Sequence, residues 1–221
     1  DLVTPLSSQT YSKSHRYLSG PVRPCFIDRG RDGHVWDIDG NEYIDFVLGL
    51  GPVTLGYANP EVNDAVRRQL DKGITFSQAS TLEVEVAERL TEVIPCAGMA
   101  RFVKNGSDAT TAAVRLARAA TGRDHVALSG YHGMHDWYVG STALHRGVPE
   151  CVRDLSHRFA YNDLASLEQV FEDFPRQVAA VMLEPVQACG PESGYLESVK
   201  KLAHENGALL IFDEIVSGFR I

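Results

Sequence analysis

Apolar strands that alternate with amphipathic helices predict an α/β fold with a mainly parallel sheet, preceded by an N-terminal α+β segment. Three observations carry this expectation. The runs HVAL (125–128), VAAVML (178–183) and ALLIF (208–212) are short, apolar and uncharged, as strands covered on both faces are. Helical stretches of about three turns lie between them. Before residue 76 the pattern differs: a hairpin signal and a glycine-rich loop replace the alternation. Residues 1–75 therefore read as an arm and hairpin segment, and residues 76–221 as the large domain.

Residues 1–23 read as an extended arm with a short helix near Tyr11–Tyr17, and LSGPVRP (18–24) as loop, because Gly20, Pro21 and Pro24 oppose regular pairing. HVWDIDGNEYIDF (34–46) reads as a hairpin in which Asp39-Gly40 forms a two-residue type I′ turn. GLGPVTLGYANP (49–60) is loop. Asn59 is placed to cap a helix with Pro60 at its first position, Val62, Ala65, Val66 and Leu70 on one face, and Gly73 past its end. Ser80 and Glu83 form a capping box for a second helix with Leu82, Val86, Leu90 and Val93 as its stripe. MARFV (99–103) reads as a strand. Ser107–Thr121 reads as a helix, with Ala109, Ala112, Ala113, Leu116 and Ala120 inward and Gly122 beyond it. Helices are expected over Asp163–Asp173 and Tyr195–Asn206, between the last three strands.

The chain has 221 residues, 44% hydrophobic and 23% charged, with a formal net charge of −8. Basic residues are scattered, which argues against a nucleic-acid surface. Cys25, Cys96, Cys151 and Cys189 lie far apart with no C-x-x-C pair, as free thiols of a reducing compartment do. The first residues lack the apolar core of a signal peptide, and no apolar run reaches membrane-spanning length. The expected location is the cytoplasm, with no membrane partner.

Chemistry gathers at the carboxyl ends of the strands, where open α/β sheets bind ligands. Asp213 follows ALLIF directly. A carboxylate there costs several kcal/mol unless a cation pairs with it, and Arg220 is the one fixed cation nearby in sequence. KNGSDAT (104–110) joins a strand to a helix start, so the amides of Ser107, Asp108 and Ala109 offer an anion site that Gly106 lets a phosphate approach; Ser107 or Asp108 serves equally as a plain helix cap. In SGYHGMHDW (129–137), Tyr131 suits stacking on a flat ring, or simple loop packing with Trp137. His132 and His135 are three apart, but no third metal ligand lies at useful spacing. Glu184, just after VAAVML, is a turn cap or a polar group facing the same cleft as Asp213. A phosphate cup, a stacking aromatic and two strand-end carboxylates on one sheet edge, with a cation missing at Asp213, fit a ligand with a phosphate, a flat ring and a protonated pyridine nitrogen. That ligand is pyridoxal 5′-phosphate, whose ring is an electron sink.

With these residues in view, the chain resembles the class III, fold type I, pyridoxal-phosphate aminotransferases, in the branch that contains glutamate-1-semialdehyde 2,1-aminomutase. VWDIDGNEYIDF, NGSDATTAAVRLARAATGRD, YHG, LEPV and GALLIFDEIVSGFR carry the resemblance, from about Tyr11 to Arg220. It implies the large domain of the fold type I transferases and a homodimer. The cofactor is pyridoxal 5′-phosphate or its pyridoxamine form, and an amino group moves from a small-molecule amino donor to a carbonyl acceptor. It also implies roles: Asp213 on the pyridine nitrogen; Gly106 and Ser107 on the phosphate, with Asp108 by the same loop; Tyr131 on one ring face, followed by His132; Val216 on the other face; Glu184 near the phenolic oxygen and the substrate. Asp213 and Glu184 are the catalytic candidates. Arg23, in Gly20-Pro21-Val22-Arg23, matches an arginine that meets the substrate carboxylate in the aminomutase. Two positions depart from the aminomutase: Leu50 stands for a tryptophan and Cys189 for an asparagine, both near the substrate there. The family's Schiff-base lysine matches none of Lys13, Lys72, Lys104, Lys200 or Lys201. The chain is therefore expected to be the N-terminal half of a longer enzyme, its C-terminal part absent. The alternatives are the aminomutase, which moves the amine within one substrate, and a non-catalytic fragment if no lysine follows.

Overall fold

The computed structural model describes residues 3–14, 16 and 26–221. They fall into two compact units, residues 1–79 and 80–221.

The first unit is built on an antiparallel meander, β1 (Ile27–Arg31), β2 (His34–Asp37) and β3 (Glu42–Ile44). β2 and β3 are the expected hairpin, but the turn differs. Gly40 N–H donates to the Asp37 carbonyl, Gly40 has φ +86°, and Asp39 does not take a positive φ. A type I′ turn needs positive φ at both central residues; here a three-residue connection, Ile38 to Gly40, places only its glycine in the left-handed region. The Asp37 carboxylate decides this. It accepts from the backbone N–H groups of Asp39 and Asn41, from the Asn41 amide and from the Tyr43 hydroxyl. The Asn41 amide, foremost, holds the Asp37 carboxyl below the usual carboxylate range. β1 went unread because IDRGR lacks a strand's apolar alternation. Tyr57 closes the loop that follows: burial, and then the Asp45 carboxylate 2.6 Å away, push its phenol up to about 12. α1 (Pro60–Lys72) starts where Asn59 and Pro60 place it, with the Asn59 side chain accepting from Val62 N–H. Of the expected short helix, the described residues show a 3-10 turn, Tyr11–Lys13; His15, Tyr17 and LSGPVRP lie outside the described residues.

The second unit opens with α2 (Thr81–Val93), capped reciprocally by Ser80 and Glu83 as expected. Its sheet has the order β5 (Ser156–Arg158), β4 (His125–Ser129), β6 (Val178–Leu183), β7 (Leu209–Phe212), all parallel. β6 is central and all six of its residues are buried. Side chains alternate along it. Val181 and Leu183 pack with Leu167, Val199 and Phe171 from α6 (Leu164–Asp173) and α7 (Tyr195–Glu205). Ala180 and Met182 pack with Val114, Ala117 and Trp137 from α3 (Gly106–Thr121) and α4 (Asp136–Val139). Helices thus cover both faces, which is why these strands read as continuous apolar runs. A further short helix, α5 (Glu150–Arg153), leads into β5.

Three expectations fail here. MARFV is not a strand: among the described residues it pairs with nothing, Met99 is 91% exposed, and lone β-structure has no ladder to offset its entropy. β7 is not covered on both faces, because it is the sheet's edge and Leu209 and Phe212 are about two-fifths exposed. The sheet-facing side of α3 is Thr110, Val114 and Ala117, while Leu116 is 70% exposed. Alanines spread round this helix gave no apolar stripe to tell its faces apart. β5, α4 and α5 are three or four residues each, too short for a periodic signal.

Candidate active site

Tyr131 and His132 follow β4, Glu184 follows β6 and Asp213 follows β7. After β7, Asp213 is held by its own backbone, whose N–H donates to the Leu183 carbonyl. Its side chain is 3% exposed and its Oδ2 lies 2.8 Å from Nδ1 of His132. His132 is wholly buried, and its Nε2 lies 3.1 Å from the Ser129 carbonyl oxygen. A carbonyl only accepts, so Nε2 is the nitrogen that donates to Ser129, and Nδ1 is the one that faces the carboxylate. Asp213 therefore has a partner within the chain. Neither an unpaired carboxylate nor Arg220 describes it: Arg220 instead donates to the carbonyls of Ile215 and Val216. Asp213 Oδ1 accepts from Ile215 N–H at 3.2 Å. Each carboxylate oxygen has two lone pairs, so acceptor capacity for a further cationic donor remains.

The backbone around His132 is fixed from several sides. Thr110 Oγ1 donates to the His132 carbonyl at 2.8 Å, and the Tyr138 hydroxyl donates to the Gly130 carbonyl. Tyr138 also meets the rings of Tyr131 and His132 edge-on at 5.5 and 5.4 Å. Gly130, at φ +108°, leaves room for the Glu184 side chain, whose Oε2 accepts from Tyr131 N–H at 2.9 Å. A Cβ on Gly130 would collide with that carboxylate. Sequence reasoning missed His132 as the partner of Asp213. The two are 81 positions apart, and only their placement after β4 and β7, the strands on either side of β6, brings them together.

The helix N-terminus at α3 suits an anion. Its cap is Asn105, whose side chain accepts from Asp108 N–H; neither Ser107 nor Asp108 caps it. The amides of Gly106 and Ser107 find no acceptor among the described residues. Ser107 Oγ accepts from Met134 N–H at 3.1 Å, which leaves the hydroxyl's own hydrogen for an incoming acceptor. Glycine is required at Gly133, where φ is +107° and a Cβ would strike the Ser107 hydroxyl and backbone; at Gly106 a Cβ would sit 2.7 Å from Ile215 Cδ1, a contact that the isoleucine must move to relieve. The Asp108 carboxylate turns aside to the Asn105 amide, with His135 Nε2 at 3.7 Å. His135 Nδ1 meets Thr111 Oγ1 at 2.7 Å, so the two histidines serve separate hydrogen-bond systems.

The expected residues do not share one cavity. Tyr131, Glu184 and Val216 line one of about 830 Å³; Asp213 lines a second of about 170 Å³ beside Thr110 and Ile215. Tyr131 and Val216 are 66% and 54% exposed. Arg23 lies outside the described residues.

Comparison with known proteins decides the family. The profile of the family Aminotransferase class-III matches residues 17–220. The chain belongs to the class III aminotransferase family. Among curated class III relatives, 3-aminobutyryl-CoA aminotransferase of Cloacimonas acidaminovorans is 44% identical over 89% of this chain and 49% of its own length. Glutamate-1-semialdehyde 2,1-aminomutase of Methanococcus maripaludis is 37% identical over 97% of this chain and 56% of its own length. Among solved structures, the PLP internal aldimine form of the FumI protein of Sphingopyxis sp. MTA144 superimposes with a TM-score of 0.87 at 34% identity, covering 94% of this chain and 51% of that one. An omega-transaminase from Sphaerobacter thermophilus gives 0.81 at 31% identity, over 90% and 50%. The fold is that of the transaminases, and the chain spans about half the length of the class III relatives it matches.

Proposed function

We propose that this chain forms the cofactor-binding half of a pyridoxal-phosphate-dependent aminotransferase, which moves an amino group from a small-molecule donor to a carbonyl acceptor. The observation that carries the reading is the buried Asp213 carboxylate at a strand end, oriented by His132 and still able to accept from a cation. Two acceptorless amides and a spare hydroxyl hydrogen at Gly106 and Ser107, beside Ile215 where a Cβ on residue 106 would crowd, fit the phosphate.

When bound, the cofactor supplies a protonated pyridine ring that draws electrons from the carbon bearing the amine. The chain's residues make that possible. Asp213 holds the proton on the ring nitrogen, and His132 fixes the carboxylate that does so. Gly106 and Ser107 anchor the phosphate at the α3 N-terminus, where the helix dipole favours negative charge; Asp108, turned to Asn105, keeps its own charge from pointing into the cup. Tyr131 and Val216 clamp the ring faces and exclude water. Glu184, tethered to Tyr131 N–H, stands at the substrate side. Arg23 is assigned to a substrate carboxylate by resemblance. The chain acts in the cytoplasm as part of a homodimer; no described helix is long and apolar enough to cross a membrane.

The kinship with glutamate-1-semialdehyde 2,1-aminomutase supports a second reading, transfer within one molecule. A nitrogen-15-labelled donor, offered to the full-length cofactor-loaded protein with a panel of carbonyl acceptors, tests both. Label appearing in a separate acceptor supports the transferase. Amine migration within a single substrate supports the mutase, and no movement of label with any pair contradicts both.

A further inference from the structure

We infer that Arg158 is an anion receptor on the substrate side of this site. The substrate it serves carries an oxyanion, carboxylate or phosphate, at the end remote from its reacting carbon. The inference rests on the aminotransferase reading and deepens it.

The cavity of about 830 Å³ is lined by Tyr131, Val216 and Glu184, and also by Arg158. Arg158 ends β5 and stands in register with Leu128 on β4, the strand that runs on to Tyr131. It is the one cation among the residues lining the cavity. Among the described residues it has no ion pair or hydrogen bond, although its guanidinium offers five donors in a planar fork that matches a carboxylate or a phosphate. The other polar groups of the wall are engaged. Glu184 accepts from Tyr131 N–H and is not paired with Arg158, the Gln187 amide donates to Ser129 Oγ, and the Tyr161 hydroxyl donates to the Pro185 carbonyl. The cavity thus has an apolar side at Phe159, Val186 and Val216, and one uncommitted cation. The phosphate cup at Gly106 and Ser107 does not line it, so Arg158 is free to receive an anion other than the cofactor's.

The test uses the full-length protein, loaded with cofactor, as wild type, Arg158→Gln and Arg158→Lys. Cofactor binding is followed by absorbance. Calorimetry then measures Kd for glutarate, for glycerol 3-phosphate and for the uncharged glutaramide. Wild-type protein should bind one of the two anions more tightly than glutaramide, and which one names carboxylate or phosphate as the group recognised. Arg158→Gln should weaken that anion about 10- to 100-fold, with glutaramide and cofactor binding unchanged. Arg158→Lys, a point charge without the fork, should fall between. Unchanged anion affinity in Arg158→Gln overturns the inference, as does an equal loss for glutaramide, which marks a merely structural role. Failure of the wild-type protein to bind cofactor at all overturns the aminotransferase reading instead.

Discussion

At the scale of single residues, the site turns on a hydrogen-bonded line from the Ser129 carbonyl through His132 to Asp213. Removing the imidazole leaves a carboxylate 3% exposed without its donor, a loss of about 1–3 kcal/mol. His132→Ala in the full-length protein should lower the thermal midpoint and slow amine transfer at least about tenfold. His132→Asn, whose amide donates from near the Nδ1 position, should recover part of both. A His132→Ala protein with wild-type melting and rate would remove the positioning role. Gly133 is constrained in another way: it has φ +107° and any Cβ meets the Ser107 hydroxyl. Gly133→Ala should weaken cofactor affinity through the displaced Ser107, read as a raised Kd in a fluorescence titration, while an unchanged Kd would detach Ser107 from the phosphate.

At the scale of elements, α3 carries the anion site and its start depends on Asn105. Asn105→Ala costs about 1 kcal/mol at the first turn. Amide exchange there should speed roughly fivefold while that of β6 stays fixed; equal protection in both proteins would show the cap to be dispensable. Much of this level was legible in the sequence. Asn59, Ser80–Glu83 and Asp163 announce helix starts because a cap is a local hydrogen bond between near neighbours. β4, β6 and β7 announce themselves by apolar runs. What stayed hidden depends on partners distant in sequence. MARFV looks like a strand but finds no ladder, and β7 is apolar yet lies at an edge. The His132–Asp213 pair exists only once β4 and β7 flank β6.

At the scale of the molecule, acid is expected to act at the opposite end of the sheet from the site. His125 Nδ1 and His157 Nε2 are 2.8 Å apart, one donating and one accepting, beside the Phe174 ring. Burial, with His125 beside it, lowers the His157 pKa below the ordinary value near 6.5; Asp173 and Asp154 oppose this. The unfolded chain then takes up its proton first. Stability is complete above about 6.5 and is lost as pH falls through the lower folded value. The thermal midpoint should therefore drop between pH 7.5 and 5.5, and His157→Asn should flatten the drop; identical slopes would show that the pair does not sense acid.

The central claim is that Asp213 holds the ring nitrogen of a bound pyridoxal phosphate. Its most direct test is the single-turnover rate of amine transfer in the full-length Asp213→Ala protein at saturating cofactor, with occupancy confirmed by absorbance. The account predicts a fall of at least about 10²–10³-fold with cofactor still bound. A loaded Asp213→Ala protein that turns over at the wild-type rate would contradict it.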